Sequence, residues 1–351
     1  MPKVSPALFA VGLLSMAAGP VLAQAPSATI VAAHEPISGV AQIRLDATAL
    51  MPLARRPVAK AFLRAAADLP EVKPRQLRRD PATRKLYTAT EAETLDEATR
   101  KTLVAVTLDE TFYYNTKYGS PLAYVRPLEI LGDAGLKEVS GKKILDFGYG
   151  TVGHLRLLAY CGAQAVGVDV DPLLPALYSA PEDQGPIPNR TAHAGSIHLI
   201  DGRFPAEAAV TQAVGDGYDV ILSKNTLKNG YLHPSQPVDK RLLVDLGVEE
   251  AVFLRAMYAA LKPGGKLLVY NLSPAPSKPG DPYKPWADGR SPFSVAQWTA
   301  AGFKVVAFDR DDSKTARKMG HLLGWDSGQG AMDLENDLFA HYTLLEKPAY
   351  P

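Results

Sequence analysis

From Gly141 onward, short apolar runs alternate with longer segments whose apolar residues recur at helical spacing. The runs Lys143–Phe147, Ala165–Val168, Ser196–Ile200, Asp219–Ser223, Lys266–Tyr270, Lys304–Phe308 and Phe339–Leu345 predict strands. Several are continuous rather than alternating, as in strands covered on both faces. Gly153–Cys161, Leu173–Tyr178, Pro205–Val214, Val248–Leu261 and Ser294–Ala301 predict the helices between them. In the last, "SPFSVAQW" carries helix-start chemistry, a Ser-Pro pair feeding an apolar-periodic segment. The alternation predicts an α/β fold built on a doubly wound, mainly parallel seven-stranded sheet.

The pattern upstream is different. "LARRPVAKAFLRAAADLP", residues 53–70, repeats apolar positions at helical spacing and stops at Pro70; "TEAETLDEATRKTLVAV", residues 90–106, has the same character. Both predict helices of an N-terminal extension or cap. Residues 24–50, rich in Ala, Ser and Pro, read as a linker or arm. Lys3, the apolar stretch Ala7–Met16 and "GPVLAQA" have the three-part layout of a secretory signal peptide, with Val21 and Ala23 at the small-residue positions. The expected organisation is a signal peptide over 1–23, a linker and helical extension over 24–125 and an α/β domain over 126–351. Export to the periplasm or medium follows from the signal, and a cytoplasmic location if it is not functional. No later run is long enough to span a bilayer.

Charge narrows the partners. Lys and Arg number 38 against 37 Asp and Glu, a net charge of +1. That balance argues against nucleic acid, whose phosphates call for a basic face. The single cysteine, Cys161, lies in an apolar helix and predicts a buried thiol. The seven histidines are scattered without metal-ligand spacing, so no metal is expected.

The chemistry concentrates in "KKILDFGYGTVGHLRLL", residues 142–158, where a strand breaks into Gly148, Gly150 and Gly153 and resumes as a helix. Glycines at such a turn let a backbone approach a ligand, and the helix start adds free amides. A dinucleotide and a nucleoside with a charged tail both suit that geometry. Asp146 is awkward beside a pyrophosphate and suits an ammonium or sulfonium. "AVGVDVDP" ends the next strand on Asp169, at roughly the ~20-residue offset of an acid that takes ribose hydroxyls. "HLIDGRFP", "GYDVILSKNTL" and "LKPGGKLLVYNL" follow in order.

This ordered set resembles the class I S-adenosylmethionine-dependent methyltransferases over about residues 141–308. The blocks "DFGYGTVGHLRLL", "SKNTLKNGYLHP" and "PWADGRSPFS" are similar to a bacterial branch of that family. The resemblance implies a Rossmann-like sheet whose last strand is antiparallel, with S-adenosyl-L-methionine as cofactor. It implies that Asp146, Gly148 and Gly150 line the methionine end, that Asp169 binds the ribose and that Asp201 with Gly202 flanks the adenine. The Lys224–Asn225 stretch would face the reacting methyl. The third glycine departs from the pattern: Thr151 and Val152 precede Gly153, which widens the loop. A long insert between Phe308 and Phe339 carries "SKTARKMGHLLGW", which would cover a sheet edge or assist dimerisation.

Methyl transfer mainly requires alignment, with a base only where the nucleophile arrives protonated. The loop after the fourth strand offers Lys224, Asn225, Lys228, Tyr231 and His233. His233 is the base candidate, with a surface His-Pro turn as the plain alternative; Lys224 either holds an acidic substrate or stabilises the loop. Tyr113, Tyr114, Tyr118 and Tyr124 form a lid or a helix face packed on the domain. Trp286 and Arg290 form a second wall. The loop lacks the Asn/Asp-Pro-Pro-aromatic stretch of enzymes acting on amide or base nitrogens, which again favours a small-molecule acceptor. The expected function is a methyltransferase; the alternative is an exported ligand-binding protein that keeps the fold without turnover. The oligomeric state is left open.

Overall fold

The computed structural model describes residues 38–188, 191–328 and 330–349. The expected signal peptide lies outside them. Among the described residues, eleven strands form two sheets. β1 (Arg75–Arg79), β2 (Leu86–Tyr87) and β3 (Val104–Leu108) make a small antiparallel sheet in the order β2-β1-β3. β4 (Lys143–Phe147), β5 (Gln164–Asp169), β6 (Gly185–Ile187), β7 (Gly195–Asp201), β8 (Tyr218–Lys224), β9 (Leu261–Ser273), β10 (Lys304–Asp311) and β11 (Phe339–Glu346) make the main sheet, ordered β10-β11-β9-β8-β4-β5-β7-β6.

All seven expected strands are present. β4 pairs parallel with β5 and β8, β5 with β7, and β8 with β9; β11 runs antiparallel to β9 and β10. The eighth, β6, pairs antiparallel with β7 at the edge. Three residues, Gly-Pro-Ile, are too few to show any periodicity. The chain winds from β4 through β5 and β7, then crosses back to β8 and β9. That reversal puts the topological switch point at the carboxyl ends of β4 and β8, the place where ligands of open α/β sheets bind.

The two sheet faces have separate cores. Ile144, Ala165, Leu222 and Leu268 face one; Leu145, Val166, Ile221 and Leu267 face the other. Helices Ala208–Val214, Glu250–Ala260 and Val295–Ala300 cover the second face through Val210, Phe253, Met257 and Trp298. The first is covered by Gly153–Tyr160 and by the N-terminal segment itself. Val40, Phe62, Tyr113, Tyr114, Leu122 and Leu128 share one core with the main sheet. The hydrophobic core therefore runs without a break across residue 125.

Two expectations for the extension need correction. Residues 39–50, read as part of a linker, form a helix whose start is capped by Ser38, its hydroxyl accepting from the Ala41 amide. Residues 90–106 form two short helices, Ala89–Glu93 and Glu97–Thr102, followed by β3. A capping box between Thr88 and Glu91 starts the first, and Asp96 starts the second. Two start signals so close together interrupt a helix rather than prolong it, and β-branched "VAVT" pairs with β1 instead. The insert helix Ser313–Leu322 packs Ala316 and Met319 into the first core beside β11, so it covers a face inward of the edge strand β10.

Polar contacts weld these parts together. Glu129, fully buried, accepts from the backbone amides of Arg55 and Arg56 at 2.8 and 2.7 Å, ahead of helix Pro57–Arg64. Arg126 donates from Nε and Nη2 to both oxygens of Asp312 at 3.0 and 2.8 Å, and the Tyr270 hydroxyl donates to Asp312 at 3.0 Å. Both members of the ion pair are buried. Replacing Asp312 with Ala leaves the Arg126 guanidinium buried and unpaired, a loss of about 3–5 kcal/mol. Urea unfolding of Asp312→Ala is expected to show that drop; a midpoint equal to wild type rejects the assignment.

Candidate functional site

Strand register gathers the polar residues. Asp146 aligns with Gly167 on β5 and with Leu222 on β8. Asp169 and Lys224 lie two residues further along those strands, and strand side chains alternate with period two. Asp146, Asp169 and Lys224 therefore share the first face, at the carboxyl end of three adjacent strands. Asp201 aligns with Asp169 on the next strand, and its side chain is exposed.

The glycine turn needs glycine for its backbone and for its neighbours. Gly148 and Gly150 have φ of 77° and 58°, a region that favours glycine. The Gly150 amide donates to Asp169 Oδ2 at 2.9 Å, and the Gly148 amide to the Val168 carbonyl at 2.8 Å. A methyl on Gly150 would lie 2.6 Å from the Tyr118 ring. At Gly153 it would lie 2.7 Å from the Tyr114 carbonyl and 2.9 Å from Pro121. Gly153, displaced in the motif, thus admits the N-terminal segment against the start of helix Gly153–Tyr160.

Asp146 is fully buried. Its Oδ2 accepts from the Tyr124 hydroxyl at 2.5 Å and lies 2.5 Å from His154 Nε2, while Oδ1 has no protein partner. The Tyr124 and His154 rings stack with centroids 3.7 Å apart and planes at 2°. Lys224, buried, places its Nζ 5.3 Å from the centroid of the Tyr124 ring. Burial pushes its amine down to about 8, against the opposing pull of Asp146. His154 was not anticipated from sequence. Its only signal is a titratable side chain in an otherwise apolar helix start, one residue after the third glycine.

Asp169 accepts the Gly150 amide on one oxygen and the Asp171 amide at 2.9 Å on the other. Burial raises its carboxyl to about 6 despite these hydrogen bonds. Asp171 is held by Lys117 Nζ at 2.6 Å and by the Tyr118 hydroxyl at 3.3 Å. Thr116 donates to the Gly150 carbonyl at 2.9 Å. Residues 116–118 consequently form a strap across the glycine turn, and Tyr118, at 40 % exposure, is its outward ring. Tyr113 and Tyr114 take no part in a lid: both are wholly buried in the core, bonded to Asp183 and to the Pro70 carbonyl.

The loop after β8 is clasped to the loop after β9. Asn225, at φ 64°, donates its amide to the Tyr270 carbonyl and accepts from the Leu272 amide at 2.7 Å. Buried Lys228 donates to the carbonyls of Leu272 and Trp286 at 2.5 and 3.2 Å; burial and the charge of Lys224 push its amine down to about 7. Asp288 joins Asn229 Nδ2 at 2.8 Å to the Arg290 guanidinium. Burial raises the Tyr231 hydroxyl to about 12. His233, exposed, places Nε2 3.1 Å from Glu250 Oε1. The Gly202 amide donates to the Asp169 carbonyl at 2.9 Å. Cys161 is buried, and its thiol is pushed up to about 12 by burial.

No family model matches the chain, and neither does any curated protein. Solved structures do. The chain is similar to the [4+2]-cyclase SpnF, at 17 % identity over 63 % of this chain and 82 % of that one, TM-score 0.36. It is similar to Haemonchus contortus phosphoethanolamine N-methyltransferase 2 in complex with S-adenosyl-L-methionine, at 14 % identity over 82 % and 74 %, TM-score 0.37. It is also similar to an S-adenosylmethionine-dependent methyltransferase from Mesorhizobium loti, at 16 % identity over 64 % and 97 %, TM-score 0.35.

The raised carboxyl of Asp169 has a measurable consequence. The folded chain holds this proton up to about pH 6, whereas an ordinary aspartate loses it near 3.8. Ionising Asp169 therefore opposes folding, and its contribution to stability falls as pH rises through that window. Asp169→Asn removes the dependence. Its stability relative to wild type is expected to improve between pH 4 and pH 7 by up to about 3 kcal/mol, at ~1.4 kcal/mol per pH unit. Denaturant curves at the two pH values test this; a constant difference contradicts a raised Asp169 carboxyl.

Proposed function

We propose that this chain is an S-adenosylmethionine-dependent methyltransferase acting on a small-molecule acceptor. The observation that carries the reading is Asp146: a buried carboxylate behind the glycine turn, with one oxygen lacking any protein partner. A pyrophosphate there would meet like charge, whereas an ammonium or sulfonium supplies the missing positive partner. When bound, S-adenosylmethionine supplies an electrophilic methyl group on a sulfonium.

The residues fit that group. Asp146 faces its cationic end. The backbone at Gly148 and Gly150 lets the ligand approach, and Gly153 acts through packing of the N-terminal segment. Asp169 keeps acceptor capacity for ribose hydroxyls beyond the two amides it holds. Asp201, exposed on the neighbouring strand end, and Gly202 flank the adenine side. Asn225 shapes the loop by joining β8 to β9, and so acts on the ligand through backbone position.

The acceptor side falls to Lys224 and Tyr231. With its amine near 8, Lys224 is partly neutral around neutral pH and is the better-placed proton acceptor. Tyr231, whose hydroxyl stays protonated, is a hydrogen-bond donor. His233 is held by Glu250 and is given an outer role. The near-neutral charge balance supports a small acceptor over nucleic acid.

Calorimetric titration of the full chain with S-adenosylmethionine, S-adenosylhomocysteine and NAD tests the reading. The first two are expected to bind and NAD is not; binding of NAD alone overturns it. Asp169→Ala is expected to weaken S-adenosylhomocysteine by about 10- to 100-fold, the scale of charge-assisted hydrogen bonds. His233→Ala is expected to leave that affinity unchanged.

A further inference from the structure

We propose that His154 and Tyr124 are positioning residues that fix Asp146 so that its Oδ1 alone meets the ligand's ammonium group. The proposal rests on the S-adenosylmethionine reading and deepens it.

The hydrogen bonding around Asp146 is one-sided. Tyr124 and His154 both address Oδ2, each at 2.5 Å, and nothing addresses Oδ1. A buried carboxylate oxygen without a donor is unfavourable in the ligand-free protein and ready for a charged donor. The two rings hold each other in place. Stacked at 3.7 Å with nearly parallel planes, neither turns without displacing its neighbour, and both are buried.

The donors are also suited in charge. His154 Nδ1 has no partner, so the tautomer that donates from Nε2 is the one that satisfies Asp146. Burial lowers the His154 pKa, which keeps the imidazole neutral. Tyr124, raised well above its ordinary value by burial and then by Asp146, stays protonated. Two neutral donors orient the carboxylate without cancelling its charge. A lysine or arginine bonded to Oδ2 would form a direct ion pair; Lys224, which Asp146 attracts without a hydrogen bond, has its amine held down to about 8 by burial.

A merely structural clamp would support all ligands of the turn alike, so the test compares three. S-adenosylhomocysteine carries an amine and a carboxylate, S-adenosyl-3-thiopropylamine keeps only the amine, and 5′-methylthioadenosine has neither. Affinities are measured by calorimetry on the full chain and its variants. His154→Phe keeps a stacking ring but loses the donor. It is expected to weaken both amine ligands by about tenfold or more, on the scale of a charge-assisted contact, and to leave 5′-methylthioadenosine unchanged. Tyr124→Phe, which removes only a hydroxyl, is expected to show the same selective loss. His154→Gln, which returns an N–H near the Nε2 position, is expected to recover most of the affinity.

Equal weakening of all three ligands, or of none, in both Phe variants overturns the positioning role while the cofactor reading stands. Wild-type protein that binds none of the three overturns the cofactor reading and this assignment with it.

Discussion

A carboxylate taken out of water must find donors, and Asp146 is wholly buried at the point where the sheet reverses its winding. Without partners such a charge costs several kcal/mol. Its donors come from opposite directions in the chain: Tyr124 lies before β4 and His154 after it. Satisfying this one group thus brings the N-terminal segment onto the carboxyl end of the central strands and fixes the first turn of helix Gly153–Tyr160. The pocket's geometry follows from that requirement. So does its chemistry, because the donors satisfy one oxygen and leave the other.

The N-terminal segment is accordingly part of the site. Tyr114 and Pro121 pack against Gly153, Thr116 and Tyr118 against Gly150, and Lys117 against Asp171. Arg126 carries the same segment to Asp312 in the C-terminal insert, and Tyr270 of β9 closes that link. Elements far apart in sequence are fastened within one layer over the first sheet face. The apolar core alone does not specify such alignment, since apolar contacts are non-directional; buried hydrogen bonds to charged groups do.

The opposite wall is fastened by backbone carbonyls. Lys228 and Asn271 reach across from the β8 and β9 ends to the carbonyls of Leu272, Trp286, Leu227 and Gly289. A buried amine among carbonyl oxygens keeps its hydrogen bonds while losing bulk water. The two loops behave as one block, with Tyr231 near its outer part.

Composition and periodicity in the sequence alone determined the strand–helix alternation, the mainly parallel sheet and the glycine turn between Asp146 and Gly153; the antiparallel last strand was implied only by the family resemblance. These are local signals: continuous apolar runs mark strands buried on both faces, and glycines mark backbone that must bend. The short β6 and the small sheet β1–β3 escaped, because three residues carry no period and "TLVAV" reads equally as helix or strand until a partner strand is supplied. Tyr113, Tyr114, Tyr118 and Tyr124 look alike in sequence. Only the tertiary structure divided them between core, strap and carboxylate clamp. His154 likewise became visible as a partner of Asp146 only when folding placed its Nε2 on that carboxylate. The physical reason is that a hydrogen bond to a buried charge depends on distance and direction between residues the chain order keeps apart, and no local pattern encodes either.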